Sequence, residues 1–205
     1  GGKIGINLSK ESIFGWFNKN KNKLGFPWSD DLTSKRLINL LYNYEYINSS
    51  ALINDKKRLD LVIFFHIHRV LFDFKAKKVS EISSFDLIAY LLSSLISNKN
   101  DYNIIGYFKF IAENQIDKLG MHKSYNILEH AKFVNNLNEI KNILLFFKVK
   151  VSKNIDDTYV KMTSILNEYF HDDGSIPLFN GSNNNYTKSI SNSLNKEEYL
   201  RSRRY

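Results

Sequence analysis

The chain contains no cysteine, which excludes disulfide scaffolds, zinc ribbons and thiol nucleophiles. Proline is almost as scarce. Pro27 and Pro177 are the only two in 205 residues, so long stretches run without an obligate helix breaker. No uninterrupted apolar run approaches the ~20 residues of a membrane span. The opening Gly-Gly-Lys-Ile-Gly-Ile-Asn-Leu-Ser has no initiator methionine. It also lacks the charged start, apolar run and cleavage site of a signal peptide. Residues 1–27 therefore read as an N-terminal segment of a truncated or processed chain, and localisation is not written there.

What is present is core-forming. The chain is 43% hydrophobic and 14% aromatic, with fifteen Phe and twelve Tyr, which argues for a packed interior and against a mostly disordered chain. Lys and Arg outnumber Asp and Glu by 29 to 21, a net charge of +8. A field of that sign draws polyanions, and it does not separate nucleic acid from acidic polysaccharide. The basic runs Lys19/Lys21/Lys23, Lys75/Lys77/Lys78 and Arg201/Arg203/Arg204 fall in loops. They do not line one helix face, and no nucleic-acid module signature accompanies them. Residues 182–205 are polar and read as a linker or tail, because they bury too little apolar surface to offset their ordering entropy.

Between these ends the apolar residues recur at steps of three and four. Asp30 and Asp31 are plausible N-caps for a helix through Leu37, Ile38, Leu41 and Tyr44 or Glu45. Further helices are expected over Leu59–Phe74, from Ser83 or Ser84 to Ile96, over Ile104–Ile116, from about Asn126 to Leu144, and over Ile155–Phe170. Only Val62–His68 alternates with period two. Short connections such as Asn98-Lys99-Asn100-Asp101 make successive helices antiparallel neighbours. The expectation is an all-α array of six or seven helices, one domain over residues 28–181, with paired helices suggesting a toroid or solenoid.

The pair His66-Ile67-His68 resembles a metal signature only on a strand. On a helix the two rings point ~200° apart, so ordinary helix histidines are the expected reading. Three other patterns are more specific. Trp28 is followed by Arg36-Leu37-Ile38-Asn39 at a helix start. Gln115-Ile116-Asp117-Lys118-Leu119-Gly120-Met121-His122-Lys123-Ser124-Tyr125-Asn126 places a Gly and a His in an interhelical loop. His171-Asp172-Asp173-Gly174-Ser175-Ile176-Pro177-Leu178-Phe179-Asn180-Gly181 is a turn-rich segment after a helix.

In this order the three patterns resemble the helical N-terminal part of the heparinase II/III-like proteins of bacteria, particularly those of alphaproteobacteria. That family carries a Trp before an Arg-Leu-x-Asn helix start. A Gln-Ile-Leu-x-Asp-Gly-Gly-His-x-x-Arg-Asn-Pro loop follows, and then an Asp-Gly-(Gly/Ser) segment ending in Phe-Asn-Gly. Here Gln115, Ile116, Gly120, His122 and Asn126 fit the loop, while Leu119, Met121, Tyr125 and Ile127 replace its Asp, second Gly, Arg and Pro. Asp173-Gly174-Ser175 and Phe179-Asn180-Gly181 fit the last segment. The resemblance spans about Trp16 to Gly181.

The resemblance implies an incomplete α/α toroid of antiparallel helix pairs, with the family's C-terminal β-sandwich absent from this chain. It also implies a polysaccharide lyase that cleaves uronic acid-containing glycans by β-elimination, in the periplasm or cell envelope. That chemistry needs a donor or cation on the uronate carboxylate. It also needs a base for the C5 proton and an acid for the leaving oxygen, tasks commonly shared by a Tyr and a His in this superfamily. Carried over residue by residue, His122 is the catalytic candidate and Tyr169 the candidate tyrosine, with Tyr125 as another. Trp28 is a sugar platform, Arg36 and Asn39 line the groove, and Asn126 and Asn180 contact substrate. No metal or cofactor is implied. The fragment alone is expected to show little or no lyase activity. The alternative is a non-catalytic basic helical module that binds a polyanion, or a pure scaffold.

Overall fold

Asp30, expected as a cap, is instead the first helical residue of its helix, and Ser29 precedes it in extended geometry with ψ 142°. The cause lies upstream, where Pro27 builds a 3-10 turn over Phe26–Trp28 whose exit at Ser29 re-aims the chain. The computed structural model describes residues 2–49, 52–78, 81–98 and 104–169, together with His171, Ser175, Pro177, Asn180 and Gly181. Every element among these residues is helical, so the fold is all-α. The chain divides into two units, Gly1–Asp101 and Tyr102–Tyr205, where the sequence suggested one domain over residues 28–181. Phe170, Asp173, Gly174 and Phe179, like the tail over residues 182–205, lie outside the described residues.

The first unit contains α1 (Gly2–Asn20), the 3-10 turn, α2 (Asp30–Tyr42), α3 (Tyr44–Asn48), α4 (Ile53–Ala76) and α5 (Ser84–Ile96). Helix α1 occupies most of the segment that sequence left unassigned. Its buried positions, Ile6, Lys10, Phe14, Phe17 and Asn20, follow helical spacing, but interspersed glycines and lysines obscure the stripe. Lys10 is buried beside Asp55 at 3.6 Å. At Asn43, φ −100° and ψ 10° separate α2 from α3 where one continuous helix was expected. Helix α4 carries the alternating stretch as ordinary helix, with Val62, His66, Ile67 and Val70 buried and His68 exposed.

Helices α2, α4 and α5 pack against one another pairwise, and α1 leans on α3 and α4. Burial explains the order. From Asp86 to Ser94 every residue of α5 is buried, and each large apolar side chain so removed from water contributes roughly 1.5–3 kcal/mol. Helix α5 begins where the sequence placed it, because Ser83 and Asp86 form a reciprocal capping box. Asp86 also receives Ser34 Oγ at 2.7 Å and Lys77 Nζ at 2.6 Å. Lys77, expected among solvated loop charges, is thus consumed by a buried ion pair.

The second unit contains α6 (Ile104–Gln115), α7 (Ile127–Phe146) and α8 (Lys153–Tyr169), with α8 packed on both α6 and α7. Ile127, Val134, Ile155, Met162 and Leu166 are fully buried between α7 and α8. Asn126 caps α7 through a bond from Glu129 N–H. No helix among the described residues is long and apolar enough to cross a membrane.

Candidate functional site

In the first unit, α1, α2, α3 and α4 line an open cavity of about 580 Å³ bordered by Trp16, Arg36, Asn39, Tyr46 and His66 among others. Arg36 is half-buried and lies flat on aromatics, its guanidinium carbon 4.0 Å from the Trp16 ring centre and 5.5 Å from that of Trp28. Its Nη2 donates to the Pro27 carbonyl and, at 3.4 Å, to Thr33 Oγ1. Its buried Nε–H has no acceptor. No carboxylate pairs with it among the described residues, and burial lowers its pKa below the ordinary arginine value.

His66 is 1% exposed and packs against both tryptophans, with ring centres at 5.8 Å and 5.0 Å. Its Nδ1 lies 2.8 Å from the Val62 carbonyl. A carbonyl only accepts, so Nδ1 carries the proton and Nε2 presents a bare lone pair. That Nε2 is buried without a partner. Burial first, and the neighbouring Arg36 charge in addition, push the His66 pKa down to about 4 against the pull of the Val62 bond. The ring is therefore neutral near pH 7.

Trp28 does not fit the role of sugar platform. It is 4% exposed, donates Nε1–H to Asn20 O at 2.8 Å and meets Trp16 edge-on at 5.2 Å. It forms a wall behind the cavity, and Trp16 is the tryptophan that lines it. Proline at the 3-10 turn explains the exchange, because it folds Trp28 inward beneath α2. Asn39 is exposed at the cavity's edge. Trp16 and His66 were not expected here. Trp16 sits four positions before the α1 terminus on a helix the sequence reading missed, and His66 was assigned no role beyond its helix.

In the second unit, the α6–α7 loop is a small hairpin. Ile116 and His122 form an isolated antiparallel bridge, and Asp117 N–H reaches the Met121 carbonyl at 2.8 Å. The Asp117 carboxylate accepts N–H bonds from Leu119, Gly120 and Met121, each at 2.9 Å. Burial is the largest single influence and opposes ionisation, but these bonds and the Tyr125 hydroxyl together outweigh it and hold the Asp117 carboxyl below its ordinary value. Gly120 is needed for two reasons. Its φ is +96°, and a Cβ there would meet the Lys161 side chain at 2.8 Å.

This loop presents His122, half-exposed. Ser124 N–H points at Nδ1 at 3.3 Å and Ser124 Oγ lies at 2.8 Å, so Nδ1 is an acceptor and Nε2 carries the proton. The ring thus offers an N–H donor outward and not a free base, a departure from the catalytic role that the resemblance carries. Burial lowers its pKa, and Glu129 opposes that. Behind it, His130 is fully buried and bonded at both nitrogens, accepting from His122 N–H at 3.1 Å and donating to the Met162 carbonyl at 2.9 Å. His130 ties the loop to α7 and α8.

Asn180 and the loop meet across more than fifty residues. Asn126 Nδ2 donates to Asn180 O at 2.8 Å, and Asn180 Nδ2 donates to Tyr125 O at 2.9 Å. Tyr125 has φ 50° and Asn180 φ 51°, left-handed geometry that Asn tolerates well. Of the residues singled out in sequence, His122, Asn126 and Asn180 are therefore gathered. Tyr169 ends α8, partly buried. Trp28, Arg36 and Asn39 belong to the first unit. No family model, curated protein or solved structure matches the chain.

Proposed function

We propose that this chain is the helical, incomplete α/α-toroid region of a polysaccharide lyase-like protein of the heparinase II/III type, holding an acidic, uronic acid-containing glycan. The observation that carries the reading is the pair of bonds that Asn180 makes, accepting from Asn126 Nδ2 and donating to the Tyr125 carbonyl. It joins the histidine loop to the Asn-Gly turn, two of the three motifs on which the resemblance rests. In this reading His122 supplies its Nε2–H to the uronate carboxylate, a neutral donor where the family has a loop arginine nearby. Neutralising that carboxylate is the first requirement of β-elimination. Tyr169 is the candidate for proton transfer.

The test is binding of residues 1–205 to a polyuronate, set against a neutral glucan of equal length. Polyuronate should bind in preference, and His122→Ala should weaken it by about tenfold, ~1.4 kcal/mol. No unsaturated uronate should accumulate. Equal affinity for the two polymers, or indifference to His122→Ala, would remove the glycan reading and leave a basic module.

A further inference from the structure

The turn from α7 to α8 exposes apolar side chains among unpaired cations. Leu145 is 60% exposed, Phe146 80% and Val149 38%, next to the buried Ile143 and Leu144. Phe146 meets Phe147 edge-on at 5.2 Å, so the two rings form one knuckle. Lys148, Lys150 and Lys153 are exposed around it, and none of them makes an ion pair among the described residues. The sequence has no acid between Glu139 and Asp156, and Asp156 is taken by Lys141 at 2.9 Å. The turn itself is fixed. Lys148 N–H reaches the Leu145 carbonyl at 3.0 Å and Val149 N–H the Leu144 carbonyl at 2.8 Å, the two bonds of a Schellman cap. Its left-handed residue is Lys148, with φ 57°, at a position where glycine is free of strain.

Charge and area together select the occupant of this tip. A second copy does not fit, because two such tips would set lysines against lysines. A protein partner needs roughly 800 Å² from each side of a standard interface, and one Phe, one Leu and one Val at the end of a hairpin supply a fraction of that. A bilayer requires neither a shape match nor a large area. Apolar side chains enter the acyl boundary, and lysine stems lie along it with their ammonium groups at the headgroups. We propose that the α7–α8 tip docks on an anionic lipid surface, with Leu145, Phe146 and Val149 inserted and Lys148, Lys150 and Lys153 on the headgroup phosphates. The chain lies on the surface there and does not span it. The tip uses none of His122, Asn126 or Asn180, so it stands or falls apart from the glycan reading.

The test is sedimentation of the full chain with vesicles of equal parts phosphatidylglycerol and phosphatidylcholine. Binding should saturate there and be at least about tenfold weaker on pure phosphatidylcholine, because apolar insertion and charge act together. Phe146→Asn alters a side chain that is mostly in water, so the fold should persist while vesicle affinity falls about tenfold. Lys148→Gly separates binding from folding. It relieves the left-handed residue, so the melting temperature should stay level or rise, and it removes one cation, so vesicle binding should weaken several-fold. In Phe146→Trp, the new indole should shift to shorter wavelength on the mixed vesicles and be quenched by brominated acyl chains. No binding to the mixed vesicles, affinity indifferent to Phe146→Asn, or an indole that bromine does not reach would each overturn the proposal. Soluble polyglutamate that bound as tightly as the vesicles would give the lysines to an acidic protein instead, and would overturn it as well.

Discussion

A neutral imidazole pressed between two tryptophans and a guanidinium makes the first unit acid-sensitive through one residue. His66 binds a proton at its ordinary 6.5 when unfolded but only at about 4 when folded. Between those values the unfolded chain holds more protons, so lowering the pH favours unfolding. The contribution is fully present above pH 6.5 and is lost as the pH falls through about 4. A shift of that size corresponds to roughly 3 kcal/mol. Unfolding followed by tryptophan emission should therefore show stability declining over that window, and His66→Gln should flatten the decline. An unchanged slope in that variant would assign the sensitivity in that window to another group, and Asp86 acts outside it. Burial disfavours its charge, but the Lys77, Ser34 and Ser83 bonds outweigh that and hold its pKa low. Its contribution is present above the ordinary carboxylate range and lost below it, on the acid side of the His66 window.

At the scale of the element, capping and burial act together, and their parts separate by substitution. Ser83→Ala removes one half of the capping box and should cost about 1 kcal/mol. Asp86→Ala removes the carboxylate that accepts from Ser34, Lys77 and the Ser83 cap together, and should cost about 3–5 kcal/mol. Equal losses in denaturant titrations would mean that the Ser34 and Lys77 bonds add little beyond the cap. Asn126 has two roles on one amide, since Oδ1 caps α7 and Nδ2 holds Asn180. Asn126→Asp keeps the acceptor and adds an anion at a helix N-terminus, which is favourable, but loses the donor. It should leave the melting temperature level or higher while weakening polyuronate binding, whereas Asn126→Ala should lower both. Elements such as α5 and α7 were legible in sequence because their signals are local: a cap three residues from its partner, apolar positions three and four apart. Helix α1 was not, since its stripe includes the buried polar side chains Lys10 and Asn20, and their burial depends on partners in other elements.

Over the whole molecule, the same distinction governs what the sequence disclosed of function. The histidine loop and the Asn-Gly turn are readable as motifs, but their meeting is a contact over 54 residues that no spacing announces. Trp16 and His66 come from α1 and α4 and meet only because the first unit packs around them. Net charge, by contrast, is visible at once and overstates what a polyanion finds. Lys10, Lys35, Arg69, Lys77, Lys132 and Lys141 are each within 4 Å of a carboxylate, while in sequence Lys196, Arg201, Arg203 and Arg204 outnumber the neighbouring Glu197 and Glu198. Neutralising those three arginines to glutamine should therefore weaken polyuronate binding a few-fold in ~50 mM salt. In ~300 mM salt, where screening shortens to about 6 Å, it should make little difference. His122→Ala should weaken binding at both salt concentrations, because a short donor–carboxylate contact is not screened in that way. A titration in which the arginine variant lost all binding, and His122→Ala none, would make the tail the whole of the interaction and turn the protein into a charge-driven binder.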